Sequence, residues 1–186
     1  MKQKIIIVGI LSLILGSAVV FYRTNNLYGE PSEVVYQKHE WIRADYLKVR
    51  FDDCVIYDNA QLESELGITV PEDDIIDGNE MKIVLVRIDI KNFSKEKMKF
   101  IPVDFVANAY GWSNGISRDL FLTINNVTDM QIVIEPKKTI EIVLPYYIYS
   151  SQLSAWHWQE VCGEDVEVVI TEYPVKTIVR MGSGKK

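Results

Sequence analysis

The chain has 186 residues and a formal net charge of −6, and 48% of its residues are hydrophobic. This length fits one domain with a real hydrophobic core. Neutralising phosphates requires clustered Lys and Arg, which so acidic a chain lacks, and the composition therefore argues against a nucleic-acid partner.

Residues 5–22 (IIIVGILSLILGSAVVFY) contain no charged side chain. As a helix they would rise about 27 Å, which is close to the hydrocarbon thickness of a bilayer. Lys2 and Lys4 precede the segment and Arg23 follows it, so the positive-inside rule keeps the N-terminus in the cytoplasm. The sequence predicts a signal anchor over residues 1–23, a single membrane pass and a C-terminal domain outside the cytoplasm.

A cleavable signal peptide is the alternative interpretation of the same segment. Residues 5–15 would form its apolar region, with Gly16, Ser17 and Ala18 as a small-residue cleavage site, and the protein would then be secreted. Residues 19–21 continue the apolar run beyond that site, which favours a retained anchor. No cysteine stands directly after the apolar run, and this excludes anchoring through a lipidated cysteine.

The rest of the chain divides into three predicted parts. Residues 24–44 contain Gly29 and Pro31 and show no sustained period, which is typical of a stalk or linker. Residues 45–181 form the predicted β-domain, and residues 182–186 form a polar tail. The chain beyond the anchor carries 17 basic and 26 acidic residues, which argues against the domain lying flat on anionic lipid.

Alternation of apolar and polar residues predicts a series of short strands. The strongest is residues 81–92 (MKIVLVRIDIKN), which belongs at the centre of a sheet with its first half covered on both faces. The other predicted strands are residues 47–57 with a bulge at Asp52 and Asp53, 98–110 with a kink at Pro102, 116–124, 130–135, 139–144, 166–171 and 175–181.

Short helices and tight turns are predicted between these strands. Asp58 and Gln61 form a capping-box pattern for a helix over residues 59–66, with Gly67 at its left-handed exit. Ser151 is a candidate cap for a second short helix.

Two tight turns are predicted later in the chain. The Asn114-Gly115 pair favours a hairpin that presents Trp112 at its tip, and residues 136–138 are predicted to close a second hairpin.

Seven or eight short strands with at most two short helices predict an all-β fold. Turn signals every 8 to 12 residues are typical of an immunoglobulin-like antiparallel β-sandwich, which would follow the N-terminal transmembrane or signal helix. A Greek-key barrel is the nearest alternative.

The order of these features resembles a known family. The apolar span, the strand MKIVLVRIDIKN, the Phe100-Ile101-Pro102 start of a kinked strand, the turn at residues 135–138 and the final valine-rich pair are similar to those of an uncharacterised bacterial family of membrane-anchored or secreted immunoglobulin-like domains. The resemblance covers residues 46–181 and the anchor. It implies an extracytoplasmic sandwich with a binding or accessory role, and it supplies no functional residues.

Aromatic residues supply the candidate binding surface. Such residues line grooves for peptides or sugars, although aromatics at strand and helix ends more often fill one end of a core. The candidates are Trp112, Tyr146, Tyr147, Tyr149, Trp156 and Trp158.

The acidic loop at residues 71–80 offers the oxygen ligands that calcium prefers. EF-hand spacing is absent, so a solvated turn is the favoured interpretation and the loop is only a weak metal candidate; its possible ligands are Asp73, Asp77, Asn79 and Glu80. His39 has no second His or Cys at metal spacing, and no carboxylate near His157 has the spacing of a catalytic pair. No cofactor is expected.

Cys54 and Cys162 are the two cysteines of the chain. Outside the cytoplasm they could pair, and the bridge would close a loop of about 100 residues and stabilise the fold by up to about 4 to 5 kcal/mol. Two unpaired thiols are the equally open alternative, because sequence alone does not show that the two Cα atoms approach within about 7 Å.

Catalytic signatures are scarce in the sequence. It contains no His-Glu-x-x-His or Walker pattern, and its Gly-x-Ser-x-Gly match, residues 111–115 (GWSNG), lies in a predicted hairpin turn and not between a strand and a helix. The sequence therefore favours a non-enzymatic extracytoplasmic binding or accessory module, tethered through residues 5–22, with a protein or peptide partner in the cell envelope. A structural assembly subunit of a cell-envelope complex is one alternative, and a carbohydrate-active or other hydrolytic enzyme is another.

Overall fold

The computed structural model describes residues 2–27 and 32–183, and the chain forms two compact units, residues 1–32 and 33–186. The first unit contains helix α1 (Lys2–Leu27). In the described part of the chain, no helix combines the length and the apolar character needed to cross a membrane, so the predicted transmembrane span is not supported.

Eleven strands follow in the described residues. They are β1 (Ser32–Gln37), β2 (Trp41–Ala44), β3 (Leu47–Asp58), β4 (Met81–Asn92), β5 (Met98–Phe100), β6 (Val106–Ala109), β7 (Trp112–Gly115), β8 (Ile132–Ile134), β9 (Thr139–Tyr149), β10 (Asp165–Thr171) and β11 (Val175–Ser183). The helices among them are α2 (Asn59–Leu66), α3 (Arg118–Asn125) and α4 (Ala155–Glu160), with 3-10 turns at Glu72–Asp74, Ser150–Gln152 and Val161–Gly163.

The strands form a sandwich, which confirms the predicted all-β class. One sheet has the order β1-β11-β10-β6-β7, the second has the order β2-β3-β4-β9, and β5 pairs with β8 in a small third sheet. Neighbouring strands pair antiparallel in β2–β3, β3–β4, β4–β9 and β10–β11.

Strand β4 has the predicted bounds and the predicted interior position in its sheet. Val84 and Val86 belong to the main core, while Ile83 and Leu85 belong to a second apolar cluster on the opposite face. All four side chains are buried. The first half of the strand is therefore covered on both sides, as its uninterrupted apolar sequence predicts.

A bulge interrupts the β3–β4 ladder at the predicted place. Phe51 pairs with Ile88 and Asp53 pairs with Arg87, so Asp52 is the extra residue. Because strand side chains alternate, one inserted residue shifts Cys54 to the same face as Phe51. Both residues consequently pack in the main core.

Helix α2 has the predicted capping box. The Gln61 amide donates to Asp58 Oδ1 at 2.8 Å, and the Asp58 amide donates to Gln61 Oε1 at 3.0 Å. Gly67 ends the helix with a φ of 66°. The cap fixes a short helix that buries Leu62 in the second apolar cluster.

The strand predicted over residues 116–124 is wrong, because this segment forms helix α3. The Ser117 hydroxyl accepts a hydrogen bond from the Leu120 amide at 3.3 Å, and Asn126 ends the helix with a φ of 50°. Leu120 and Phe121 are fully buried in different apolar clusters. The N-terminal cap, together with the burial of Leu120 and Phe121 in two different clusters, favours a helix over a strand.

The single kinked strand predicted over residues 98–110 is also wrong. The Phe105 amide donates to the Pro102 carbonyl at 2.9 Å in a turn, and this turn separates β5 from β6, which lie in different sheets. Residues 136–138 do turn the chain, but β8 pairs with β5 and β9 pairs with β4, so the predicted hairpin does not form.

The predicted stalk at residues 24–44 extends too far, since β1 and β2 are strands of the two main sheets. Trp41 pairs with Arg50 across β2 and β3, and Ile42 is buried. His39 and Asp45 adopt positive φ values of 72° and 51°, which allow tight turns in a segment of irregular sequence. At the other end, Gly182 and Ser183 of the predicted tail belong to β11.

Candidate functional site

Three of the six predicted aromatic residues are core residues. Trp112 is 5% exposed, Tyr146 is fully buried and Tyr147 is 7% exposed. The hairpin turn lies at Tyr110 and Gly111, where Gly111 has a φ of 84°. The prediction that Trp112 is at the tip is therefore wrong, and Tyr110 takes that place.

Tyr149 and Trp158 are half-buried and have structural partners. The Tyr149 hydroxyl donates to the Asp74 carbonyl at 3.0 Å. The Trp158 indole donates to Glu80 Oε2 at 2.6 Å, and Lys82 Nζ lies 4.6 Å from the centroid of the same ring. Trp156 is thus the predicted aromatic residue that remains widely exposed, at 66%.

Trp156 lies on the wall of a cavity of about 490 Å³. We call this cavity the aromatic cleft. Its lining residues are Tyr110, Trp156, His157, Glu164 and Asp165.

The β6–β7 turn and helix α4 position the rings of the aromatic cleft. The β6–β7 turn carries Tyr110, which is 69% exposed. Ser154 caps α4, and its hydroxyl lies 3.0 Å from His157 Nδ1. The His157 ring centroid is 4.8 Å from that of Tyr110 and 4.7 Å from that of Trp156. The imidazole therefore lies between two exposed aromatic side chains and contacts both.

The carboxylates of the aromatic cleft come from the start of β10. Strand β10 pairs with β6, with Glu167 opposite Asn108, and this pairing brings residues 164 and 165 beside the β6–β7 turn. Asp165 is exposed, whereas Glu164 Oε2 is buried and has no hydrogen-bond partner among the described residues. A buried oxygen without a donor is costly, so a donor brought by a ligand would stabilise it.

The arrangement suits a positively charged ligand. Aromatic faces attract cations, most strongly at Trp, and carboxylates supply the opposite charge. Sequence reasoning found Trp156 from the aromatic cluster but missed Tyr110, Glu164 and Asp165. Residue 110 and residue 164 are far apart in the chain, and the β6–β10 pairing that joins them leaves no local signal.

The weak calcium candidates do not form a site. The Asn79 side-chain oxygen accepts the Ser151 amide at 3.2 Å, and Glu80 accepts the Trp158 indole. Within residues 2–27 and 32–183, no group of three or more His, Cys, Asp or Glu side chains could hold a metal ion. Asp73 and Asp77 are exposed on the same loop, which is consistent with the solvated turn.

Both cysteines are free thiols, so the candidate disulfide does not form. Cys54 is buried in the main core, and Cys162 packs against it while half-buried. Burial, followed by the charge of Asp53, raises the pKa of the Cys54 thiol to about 12. A thiol with so high a pKa is a poor nucleophile at neutral pH.

Comparison with known proteins gives a family match. Residues 33–177 match the family model described as "Domain of unknown function (DUF5028)". This match agrees with the sequence-based resemblance to an uncharacterised family. No curated protein is detectably similar to the chain.

Several solved structures are similar in fold. An uncharacterized beta-sandwich protein from Clostridium difficile 630 has a TM-score of 0.45 at 15% identity, over 82% of this chain and 95% of that one. A putative lipoprotein, ycdA, from Bacillus subtilis has a TM-score of 0.49 at 12% identity, over 78% of this chain and 39% of that one. The yjhA protein from the same species has a TM-score of 0.44 at 12% identity, with coverages of 78% and 98%.

Proposed function

The chain belongs to the DUF5028 family, and we propose that its immunoglobulin-like sandwich is a non-enzymatic binding module. The aromatic cleft takes basic side chains from a peptide or protein partner. One observation carries the proposal: Trp156 and Tyr110 are widely exposed beside Glu164, whose buried oxygen has no hydrogen-bond partner in the described part of the chain.

Arginine fits this cleft better than an uncharged side chain. A guanidinium can stack on an aromatic ring and still donate hydrogen bonds from its edge to a carboxylate. A cation over an exposed ring contributes about 0.5 to 1 kcal/mol. The cleft brings two such rings together with two carboxylates, so its affinity for a single basic side chain should be modest and sensitive to salt.

The size of the cleft favours an extended segment as the ligand. A volume of about 490 Å³ holds one or two side chains. The walls come from a hairpin turn and a short helix, which are surface segments of the kind that sandwich folds use for recognition. A flexible peptide or an exposed loop of a protein can enter this space with little rearrangement of the domain.

The proposal includes a location outside the cytoplasm. Its support is the sequence of the first 23 residues, which has Lys2 and Lys4 before eighteen uncharged residues and Arg23 after them. Protease treatment of intact cells should degrade the β-domain if it is exported. N-terminal sequencing of the exported protein then distinguishes a retained tether from cleavage after Ala18.

Isothermal titration with a matched peptide pair tests the binding function. The probes are acetylated and amidated tetra-arginine and the same peptide with neutral citrulline at every position. The tetra-arginine peptide should bind saturably, and the citrulline peptide should bind at least tenfold more weakly. Equal affinities for the two peptides would overturn the proposal.

Matched variants separate the cleft from general attraction by an acidic protein. Trp156→Ala keeps the net charge and should weaken tetra-arginine binding about threefold or more, while Tyr173→Ala removes another exposed ring and should not. Glu164→Gln should weaken binding more than Glu172→Gln, which changes the net charge equally at an exposed position outside the cleft. Equal effects within either pair would contradict a cleft-specific site.

A further inference from the structure

A second cavity, of about 520 Å³, lies at the other end of β4 from the aromatic cleft. Phe93 directly follows β4, whereas Glu80, which accepts a hydrogen bond from Trp158 of α4, directly precedes it. A strand of this length separates its ends by about 40 Å. We call the second cavity the basic pocket, and its lining residues are Tyr46, Phe93, Ser94, Lys95, Glu96, Met98 and Lys137.

A buried polar network shapes the basic pocket. Asn92 is fully buried, and its Nδ2 donates to the Glu96 carbonyl at 2.7 Å and to the Ile134 carbonyl at 2.9 Å. Its Oδ1 accepts the Ser94 amide at 2.9 Å. These bonds fix the loop after β4. The Phe93 amide also donates to the Tyr46 carbonyl at 3.2 Å, which joins the two aromatic walls.

Positive charge is concentrated around the Phe93 ring. The Arg43 guanidinium carbon lies 5.1 Å from the ring centroid, and Lys48 Nζ lies 5.9 Å from it. Lys137 Nζ donates to the Phe93 carbonyl. Lys95 also lines the pocket, and Glu96 is the acidic residue among the lining residues.

These four cations have no carboxylate partner within 4.0 Å among the described residues. The nearby Lys97, by contrast, does form an ion pair, with Glu135 at 2.7 Å. Like charges that approach one another raise the energy of the folded state, and a bound anion would lower it. Such a concentration of unpaired cations is unexpected in a chain with a net charge of −6.

We infer that the basic pocket binds a small anion that has an apolar part, with a carboxylate or phosphate head group. Lys95 and Lys137, which line the pocket, bind the head group, and Arg43 and Lys48 beside the Phe93 ring add positive charge. The side chains of Tyr46, Phe93 and Met98 contact the apolar part. A long polyanion is a poor ligand, because the acidic surface outside the pocket repels it. This site is separate from the aromatic cleft and does not depend on the peptide-binding function.

Titration calorimetry with three compounds tests the inference on the full chain. The probes are n-octyl phosphate below its micellar concentration, neutral octyl glucoside and inorganic phosphate. Octyl phosphate should bind at one site and at least tenfold more tightly than either of the others. Inorganic phosphate binding as tightly as octyl phosphate would overturn the role of the apolar walls, and equal binding of octyl glucoside would overturn the role of the cations.

Charge-removing variants locate the site. Lys95→Gln and Lys137→Gln should each weaken octyl phosphate binding at least threefold, while Lys38→Gln, an equal charge change at an exposed position outside the pocket, should not. All three side chains are exposed, so unchanged melting temperatures will show that folding is intact. Wild-type affinity in the Lys95→Gln, Lys137→Gln double variant would overturn the inference. So would binding to phosphatidate vesicles without binding of free octyl phosphate.

Discussion

The Tyr147 hydroxyl donates a 2.7 Å hydrogen bond to the carboxylate of Asp74. The neighbouring hydroxyl, on Tyr146, is buried in the main core and has no hydrogen-bond partner in the part of the chain that the structure describes. The two residues are adjacent on β9, so their side chains point to opposite faces of the sheet. Two chemically identical groups therefore differ in environment: one is hydrogen-bonded and the other is not.

Removing the Tyr147 hydroxyl should lower stability, whereas removing the Tyr146 hydroxyl should not. Tyr146→Phe deletes an unsatisfied buried group and should leave the free energy of unfolding unchanged or raise it by about 1 kcal/mol. Tyr147→Phe removes a bond to a charged partner and should lower it by about 1.5 to 3 kcal/mol. Urea unfolding of both variants measures the difference. Equal changes in the two variants would contradict the assigned environments.

Alkaline pH should destabilise the fold. Burial raises the pKa of Cys54 to about 12, and it also raises the pKa of Tyr146 and of Tyr147. In the unfolded chain these groups lose protons at about pH 8.5 for Cys and about pH 10 for Tyr. The unfolded state then binds fewer protons than the folded state, so stability declines as pH rises.

The free energy of unfolding should therefore be nearly independent of these groups below about pH 8 and should fall between about pH 9 and pH 12. Urea unfolding at pH 7, 9, 10 and 11 measures this decline. The Tyr146→Phe variant is the control, because one of the buried titrating groups is then absent and the decline should be smaller. A free energy of unfolding that stays constant up to pH 11 would contradict the burial of Cys54, Tyr146 and Tyr147 in their neutral forms.

The capping box of α2 should contribute measurably to stability. Asp58→Ala removes the acceptor of the Gln61 amide and should cost about 1 kcal/mol. Asn59→Ala changes the adjacent exposed residue, which has no part in the cap, and should stay within about 0.5 kcal/mol of the wild type. Thermal or urea unfolding compares them, and equal losses would show that the cap is unimportant.

Thiol titration should find two free cysteines in the denatured, unreduced protein. In the native protein at pH 8, Cys54 should not react, because its side chain is buried and its pKa is about 12. A Cys162→Ser variant isolates this site: it should show no reactive thiol when native and one when denatured. Absence of free thiols in the denatured wild type would instead demonstrate a disulfide.

Local signals in the sequence predicted local structure well. Asp58, Gln61 and Gly67 predicted α2 and its ends, and the broken alternation at Asp52 and Asp53 predicted the bulge. Each of these features depends on residues within a few positions of one another. The uninterrupted apolar run of β4 likewise predicted a strand covered on both faces.

Competing local signals explain one of the wrong predictions. Asn114 and Gly115 were predicted to make the hairpin turn, but Gly111 makes it. Asn114 instead lies in β7, where its side-chain amide donates to the Tyr147 carbonyl and bonds to Gln152. Both Tyr110-Gly111 and Asn114-Gly115 contain a glycine that suits a tight turn. The hydrogen bonds of Asn114 to distant residues favour the turn at Tyr110-Gly111. The same choice buries Trp112 and exposes Tyr110.

Pairing between strands that are distant in the sequence explains the other wrong predictions and the residues that were missed. The hairpin predicted for β8 and β9 fails because β8 pairs with β5 and β9 pairs with β4. The aromatic cleft depends on β10 pairing with β6, which brings Glu164 to Tyr110. Such pairings are decided by the packing of the whole core, and a short window of sequence does not contain that information.

The most direct test of the binding function follows the indole N–H signals of the four tryptophans by NMR during titration with tetra-arginine. The Trp156 signal should shift and saturate, while that of Trp112, which is 5% exposed, should stay in place. The citrulline peptide should shift neither signal. A Trp156 signal that does not respond to tetra-arginine, or that responds equally to both peptides, would contradict cation binding in the aromatic cleft.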